Sequence, residues 1–376
     1  MTKIADKSIY RKLQQHLDNF PIGFPATKSG VEIEILEFLF DPLQAQIASC
    51  LNLAPKRPSK ILERFMKRFN IELTENEMSE HLHKMFMNGC LQRSGKEGSW
   101  RYSNAMLAIG MFEYHVDHLT PEFVENMNKY FDEAFAEEFH KTAIPQLRTS
   151  PHSKALLVEH KIATYDDMRL YVQNVTKPIQ VANCICKQGE ALIGKPCKQT
   201  DDIEVCLMFG SKSYAEREQA REISKDECLA ILDRAEKEGM VLQPGNTMEP
   251  FCICICCGCC CGVLKAAKQF PNPARLFATN YFVEVDLDGC IGCGICVRRC
   301  QMEAIVIENK KAIIDLERCI GCGLCVTTCP TTAMKLIKKE KETIPPKNMA
   351  ALYMKILKVK FGKRKMMMKM LKLLLG

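Results

Sequence analysis

The chain has 376 residues, 47% of them hydrophobic and 26% charged, with a formal net charge of +7. Such a length holds two or three domains, each with its own core, and no run of 18 apolar residues is present to cross a membrane as a helix. The charge is uneven: residues 338–376 carry twelve Lys/Arg and two Glu, a net of +10, which leaves about −3 for the remainder and assigns the basic character to the tail.

The first residues, Met1-Thr-Lys-Ile-Ala-Asp-Lys-Ser, mix acids and bases without an apolar stretch, unlike a secretory signal. The chain has 22 cysteines, and without an export signal they are expected to stay reduced, which points to the cytoplasm. Cys50, Cys90 and Cys228 stand apart from any dense pattern and read as small buried thiols.

Residues 36–105 read as three helices and a hairpin. Asp41 caps a first helix, with Pro42 at its first position and Gln44 placed for a capping box; Leu43, Ile47 and Leu51 line one face. A second helix runs from about Ser59, with Ile61, Leu62, Phe65 and Phe69 inward. Thr74 and Glu77 form another capping box and open a third helix, in which Met78, Leu82, Met85 and Phe86 recur at helical spacing. Gly89 closes it, and two short strands follow around residues 94–98. This order suggests a winged helix-turn-helix. DNA would take the third helix in its major groove, but that helix exposes Glu75, Glu77 and Glu80 against Lys84, the wrong sign for phosphate. Only Lys96 and Arg101 on the hairpin help, so a scaffold that docks a protein partner is the preferred reading and DNA is not expected.

Residues 106–140 are expected to continue as helix, with Phe123, Met127, Tyr130, Phe131, Ala134 and Phe135 as ordinary core. His81, His83, His115, His118 and His140 show no metal-binding spacing and read as structural or solvated. A linker is expected at residues 145–151, which begin and end in Pro.

The middle region is dense in thiols. Cys184, Cys186, Cys197 and Cys206 precede a charged helix capped by Ser224 and packed through Leu229, Leu232 and Ala235, and the run Cys252, Cys254, Cys256, Cys257, Cys259, Cys260 and Cys261 follows it. Thiolates at this density repel one another and oxidise readily unless cations hold them, so metal ligation is the economical explanation. C-x-C puts two side chains on one side of an extended backbone, whereas adjacent Cys256 and Cys257 cannot both easily reach one cube. Cys184, Cys186, Cys197 and Cys206 supply four ligands, sufficient for one further cluster or one zinc, and the run from Cys252 to Cys261 is read as ligating another or completing the first. At least one additional [4Fe-4S] cluster is expected here, with zinc and redox-active thiols as the alternatives.

Residues 290–330 carry the most regular pattern. Cys290, Cys293, Cys296 and Cys300 are repeated 29 residues later as Cys319, Cys322, Cys325 and Cys329, the last followed by Pro330. Three thiolates at i, i+3 and i+6 fold a short loop around one iron–sulfur cube, and in paired runs of this spacing the last Cys of each ligates the other cluster. One [4Fe-4S] cluster is therefore assigned to Cys290, Cys293, Cys296 and Cys329, and a second to Cys319, Cys322, Cys325 and Cys300. Residues 282–286, 304–308 and 312–315 read as strands, with a hairpin turn at residues 309–311. These residues resemble the bacterial-type two-[4Fe-4S] ferredoxin family between Tyr281 and Lys339, with Gln301 where that family usually has Pro. The resemblance implies a pseudo-twofold module that passes single electrons.

Taken from Ala54 to Lys339, the thiol pattern with the capped helix and the ferredoxin-like pair resembles a group of anaerobe-type 4Fe-4S binding proteins. That resemblance implies cluster binding and electron carriage and fixes no substrate; Cys228 and Cys252 fall outside it and are left out of the ligand set.

The tail alternates basic and apolar residues and, as a helix, suits an anionic membrane surface, a partner's groove or its own domain. No G-x-G-x-x-G, P-loop or G-x-S-x-G is present. The expected fold class is α+β: residues 1–145 helical and winged-helix-like, 146–275 Cys-rich, 276–340 ferredoxin-like and 341–376 a basic tail. The expected function is electron transfer to a redox partner protein, with a redox-sensing regulator, or a reductase whose middle cluster is the catalytic centre, as alternatives; no small-molecule substrate is identified.

Overall fold

The computed structural model describes residues 7–156, 162–211 and 213–375, with side chains described to residue 362. Helices and strands are mixed, as in an α+β protein. The chain divides into two compact units, the first drawn from Met1–Lys141, Ser213–Glu218 and Met354–Gly376, the second from Thr142–Lys212 and Gln219–Tyr353.

The first unit opens with α1 (Lys7–Leu17), α2 (Val31–Leu39), α3 (Pro42–Ala48), α4 (Pro58–Phe69) and α5 (Glu75–Met87). Strand β1 (Leu91–Ser94) pairs antiparallel with β2 (Arg101–Asn104), and α6 (Pro121–Tyr130) and α7 (Ala136–His140) follow. Both capping boxes form. The Asp41 carboxylate accepts from the Gln44 N–H at 2.8 Å and the Thr74 hydroxyl from the Glu77 N–H at 3.2 Å, while the Gln44 and Glu77 side chains accept from the cap N–H groups in return. Ile47, Ile61, Phe65, Met78, Leu82, Met85 and Phe86 are buried as their spacing requires.

The expected helix from residue 106 does not form. Ala108 and Ile109 are extended, and regular helix begins only at Pro121, where the Thr120 hydroxyl accepts from the Phe123 N–H at 3.2 Å. Proline lacks the N–H that a continuing helix needs and has a preset φ, so Thr120-Pro121 starts a helix rather than extending one.

The second unit contains α8 (Met168–Asn174), β3 (Ile179–Asn183), α9 (Ile185–Leu192) and β4 (Glu204–Phe209); the next element, α10 (Ser213–Glu216), belongs to the first unit. Then come β5 (Ala220–Ile223), α11 (Lys225–Glu238), β6 (Val241–Pro244), β7 (Cys252–Cys256) and α12 (Gly262–Lys268). The strands form one antiparallel sheet in the order β5-β3-β4-β7-β6, whose β3–β5 and β4–β7 pairings join segments far apart in the chain. On one face Val181, Leu207, Ile253 and Ile255 pack with Ile231, Leu232 and Cys228 of α11.

Residues 145–151 are not a free linker. The Arg148 and Ser150 N–H groups bond to the carbonyls of Pro244 and Leu242 at 2.9 and 3.0 Å, and the Thr149 N–H to that of Ala278 at 3.0 Å. The Arg148 guanidinium is buried against the Asp166 carboxylate, whose other oxygen accepts from Asn280 at 2.8 Å. The linker expectation fails because the segment's backbone is bonded to β6 and to Ala278 and its Arg148 is paired in the interior.

The remainder of the unit has β8 (Tyr281–Val285), α13 (Ile295–Arg299), β9 (Ile305–Glu308), β10 (Lys311–Ile314) and β11 (Met334–Lys338), with β8 paired to β11 and β9 to β10, both antiparallel. Asn309 and Lys310 turn the β9–β10 hairpin with φ of 49° and 58°. Helix α14 (Met349–Leu375) ends the chain. Within the first unit Lys360 sets its ammonium on the buried Glu138 carboxylate, which also accepts from the Gly23 N–H at 2.9 Å. Burial pushes the Glu138 carboxyl up, but Lys360, with Gly23 and Lys141, holds it below the usual range. The membrane-surface or partner-groove expectation for the tail covers two stretches: in the first, residues 353–361, Ile356 and Leu357 are buried within the protein, and the side chains of the second, from residue 363, lie outside the described residues. Among the described residues no helix is long and apolar enough to cross a membrane.

Candidate metal centres

Two thiol-lined cages occupy the C-terminal part of the second unit. Cys290, Cys293, Cys296 and Cys329, with Pro330, border about 330 Å³ of atom-free space; Cys300, Cys319, Cys322 and Cys325 border another of about 390 Å³. Each run thus contributes three thiols to one cage and its last to the other. The halves are related by the 29-residue repeat down to single contacts. Gly292 (φ 66°) lies so close to Lys310 that a Cβ would stand 2.3 Å from its carbonyl oxygen, and Gly321 (φ 65°) meets Tyr281 in the same way at 2.2 Å. Only glycine permits both that φ and that approach, and both let the loop wrap a cluster.

The donors in these cages fit a thiolate-held cluster. The Ala304 N–H points at Cys300 Sγ at 3.2 Å and the Ala312 N–H at Cys290 Sγ at 3.4 Å, the kind of bond that stabilises anionic sulfur. Burial pushes the thiols of Cys296, Cys300 and Cys319 up, that of Cys322 to about 12, and that of Cys325 well above its ordinary value. Burial also acts on Cys329, but the N–H groups of Met334, Thr331 and Ala333 and the Thr331 hydroxyl outweigh it and draw that thiol down. Unmetallated thiols in the second cage therefore hold their protons, and metal must displace them.

The cages differ in exposure. Cys293 is exposed and Ile291 beside it is 63% exposed, so the first cage sits at the surface. The second lies against an apolar cluster in which Met302, Ile320 and Leu324 pack with Cys256, Cys261 and Leu264, with Cys300 and Cys322 at its border. Gln301 makes this junction. Its Oε1 accepts from the Gly258 N–H at 2.8 Å, and a Cβ on Gly258 would stand 2.4 Å from the Gln301 carbonyl oxygen. The residue that departs from the ferredoxin pattern is thus the one that meets the Cys-rich loop; a proline there has no side-chain acceptor to offer.

In the middle region the sheet sorts the thiols. Along β7, Cys252, Cys254 and Cys256 point to one face and Ile253 and Ile255 to the other, and Cys206 of β4 and Gln243 of β6 stand opposite Cys254. On the Cys254 side the Cys186 thiol contacts those of Cys184 and Cys261, Cys256 contacts Cys254 and Cys261, and Gln243 Nε2 lies 3.7 Å from Cys261 Sγ. Contacts from Cys186 and Cys256 outweigh burial and draw the Cys261 thiol down to about 5. On the other side Cys197, Cys257, Cys259 and Cys260 converge, their Sγ atoms all within 4.8 Å of one another. Cys256 and Cys257, adjacent in the chain, serve different groups.

The four thiols Cys184, Cys186, Cys197 and Cys206 do not assemble as one set, because a strand's alternation and the loop after β7 distribute them. Cys252, omitted from the expected ligands, contacts Cys254; Cys228 lies on the buried face of α11, and burial pushes its thiol to about 12. None of the 22 cysteines is disulfide-bonded. Sequence reasoning saw Gln301 only as a missing proline, since its partner Gly258 lies 43 residues away.

Residues 283–338 match the family model of a 4Fe-4S dicluster domain, so the chain carries such a domain near its C-terminal end. No curated protein and no solved structure matches the chain.

Proposed function

We propose that this protein relays single electrons between a redox partner protein at the exposed first cage and the thiol group around Cys186, Cys256 and Cys261, which holds a further iron–sulfur cluster. The observation that carries this reading is the chain of three neighbouring thiol sites in one compact unit, graded from surface to interior. Bound [4Fe-4S] clusters supply reversible one-electron chemistry there.

The chain's own residues set the conditions for it. Cys290, Cys293, Cys296 and Cys329 hold one cluster near solvent, with Cys293 exposed for close approach of a partner. Cys300, Cys319, Cys322 and Cys325 hold the second, and Met302, Ile320 and Leu324 keep water from its inner side. Gln301 and Gly258 fix the spacing between the second cage and the Cys-rich loop. The exposed carboxylates of Glu75, Glu77 and Glu80 on α5 work against a DNA-contacting role.

Anaerobic purification followed by iron and sulfide counts and EPR tests the proposal. Two cubes require about eight irons and eight sulfides per chain, and the inner thiol group adds to both. Reduction should produce interacting signals from neighbouring one-electron centres. A colourless, iron-free chain, or one that holds only zinc, would overturn it.

A further inference from the structure

The thiol group on the α11 side of the sheet differs in kind from the others. Cys197 Sγ lies 3.6 Å from Cys257 Sγ and 3.9 Å from Cys259 Sγ; Cys259 Sγ lies 3.3 Å from Cys257 Sγ and 3.7 Å from Cys260 Sγ. One ion bound tetrahedrally at about 2.3 Å from each sulfur sets neighbouring sulfurs roughly 3.8 Å apart. A cube puts a separate iron beneath every thiolate and so spreads the sulfurs wider. Among the described residues this is the one group of thiols drawn so closely together; neither cage of the dicluster domain is.

The surroundings suit an ion. Cys257 and Cys260 are buried while Cys197 and Cys259 are half-buried, which gives a closed site with one open side for loading. The backbone N–H groups of Lys198 and Cys260 donate to the sulfurs of Cys259 and Cys257, a second shell that orients the ligands. No carboxylate or imidazole joins the set, so hard cations such as magnesium and calcium are disfavoured. Three of the ligands come from four consecutive residues, 257–260, and Cys197 arrives from the segment between α9 and β4, so a bound ion staples that segment to the end of β7.

We propose that Cys197, Cys257, Cys259 and Cys260 bind a single tetrahedral transition-metal ion, zinc or iron, as a mononuclear centre separate from every iron–sulfur cluster of the chain. The proposal stands whether or not the protein carries electrons. It assigns these four cysteines away from the additional cluster expected from the sequence and leaves the group around Cys186, Cys256 and Cys261 as that cluster's place.

The full chain, purified anaerobically, is analysed for zinc, iron and acid-labile sulfide and by X-ray absorption. With zinc, the expected result is one zinc per chain with a single shell of sulfurs at about 2.3 Å and no metal neighbour. With iron, total iron exceeds sulfide by one, because cubes contain the two in equal number, and a high-spin mononuclear iron signal appears. Cys197→Ser, at a half-buried ligand, should remove that one ion and leave sulfide content and the dicluster EPR signals unchanged. Equal iron and sulfide with no zinc in the unmodified protein would overturn the proposal. So would a parallel loss of several irons and sulfides in Cys197→Ser, which is the signature of a cluster. If that variant fails to fold, the absorption spectrum of the unmodified chain still decides.

Discussion

The dicluster domain and the Cys-rich sheet beside it both gather thiols, yet they do so by opposite means. In residues 290–329 the ligands are set by loops of fixed spacing, repeated once, with glycines where the backbone must approach itself closely. In residues 184–261 a β-strand deals its cysteines to one face, the loop beyond it supplies the other, and partners arrive from α9, β4 and the segment between them. A loop encodes its ligand set locally; a sheet encodes it through register. The first is robust to surroundings and the second depends on every strand being in place.

The largest expected effect tests the exchange of ligands between loops. Cys329→Ala should cost the cluster nested in Cys290, Cys293 and Cys296, about four irons per chain, and spare the one held by Cys319, Cys322 and Cys325. Iron counts with EPR on the variant check this, and loss of the latter cluster alone would refute the exchange. Next comes Asp166→Asn. It strands the buried Arg148 guanidinium on the segment that bonds to β6 and to Ala278, and should cost about 3–5 kcal/mol in urea unfolding. A cost below 1 kcal/mol would mean that water reaches the pair.

Gly258→Ala forces a methyl group against the Gln301 backbone and should cost about 1–3 kcal/mol. The expected readout is faster loss of the Cys300-containing cluster in a chelator assay, with the surface cluster retained for longer. Equal rates for both would uncouple the sheet from the domain.

The smallest effect is the pH dependence of cluster loading. Ligands must be thiolates, so each thiol that carries its proton before metal binds tightens loading by about tenfold per pH unit, whereas a thiol drawn down releases less than a whole proton and flattens the slope. All four thiols of the second cage are raised, whereas in the first Cys296 is raised and Cys329 is lowered. Between pH 6 and 8 the second cage should therefore load the more steeply with pH. Anaerobic iron competition at several pH values measures the two slopes, and a steeper slope for the first cage would contradict the assignment of cause.

Much of this molecule was legible as text. The paired Cys runs, the capping boxes at Asp41 and Thr74, the β9–β10 hairpin and the α11 helix follow from contacts within a few residues, where spacing and chemistry decide the outcome. Sequence alone also marked residues 184–261 as unusually dense in thiols, and the structure draws Cys197, Cys257, Cys259 and Cys260 close together.

Tertiary structure decided which thiols act together. Whether Cys197 joins Cys186 or Cys259 depends on the register of β4 and β7, and a strand's two faces diverge by one residue's step, so Cys256 and Cys257 end on opposite sides. The buried course of residues 145–151 and the meeting of Gln301 with Gly258 likewise rest on partners far along the chain. Local pattern carries no record of such pairings, because the free energy that selects them comes from burial and hydrogen bonding available only once the sheet has closed.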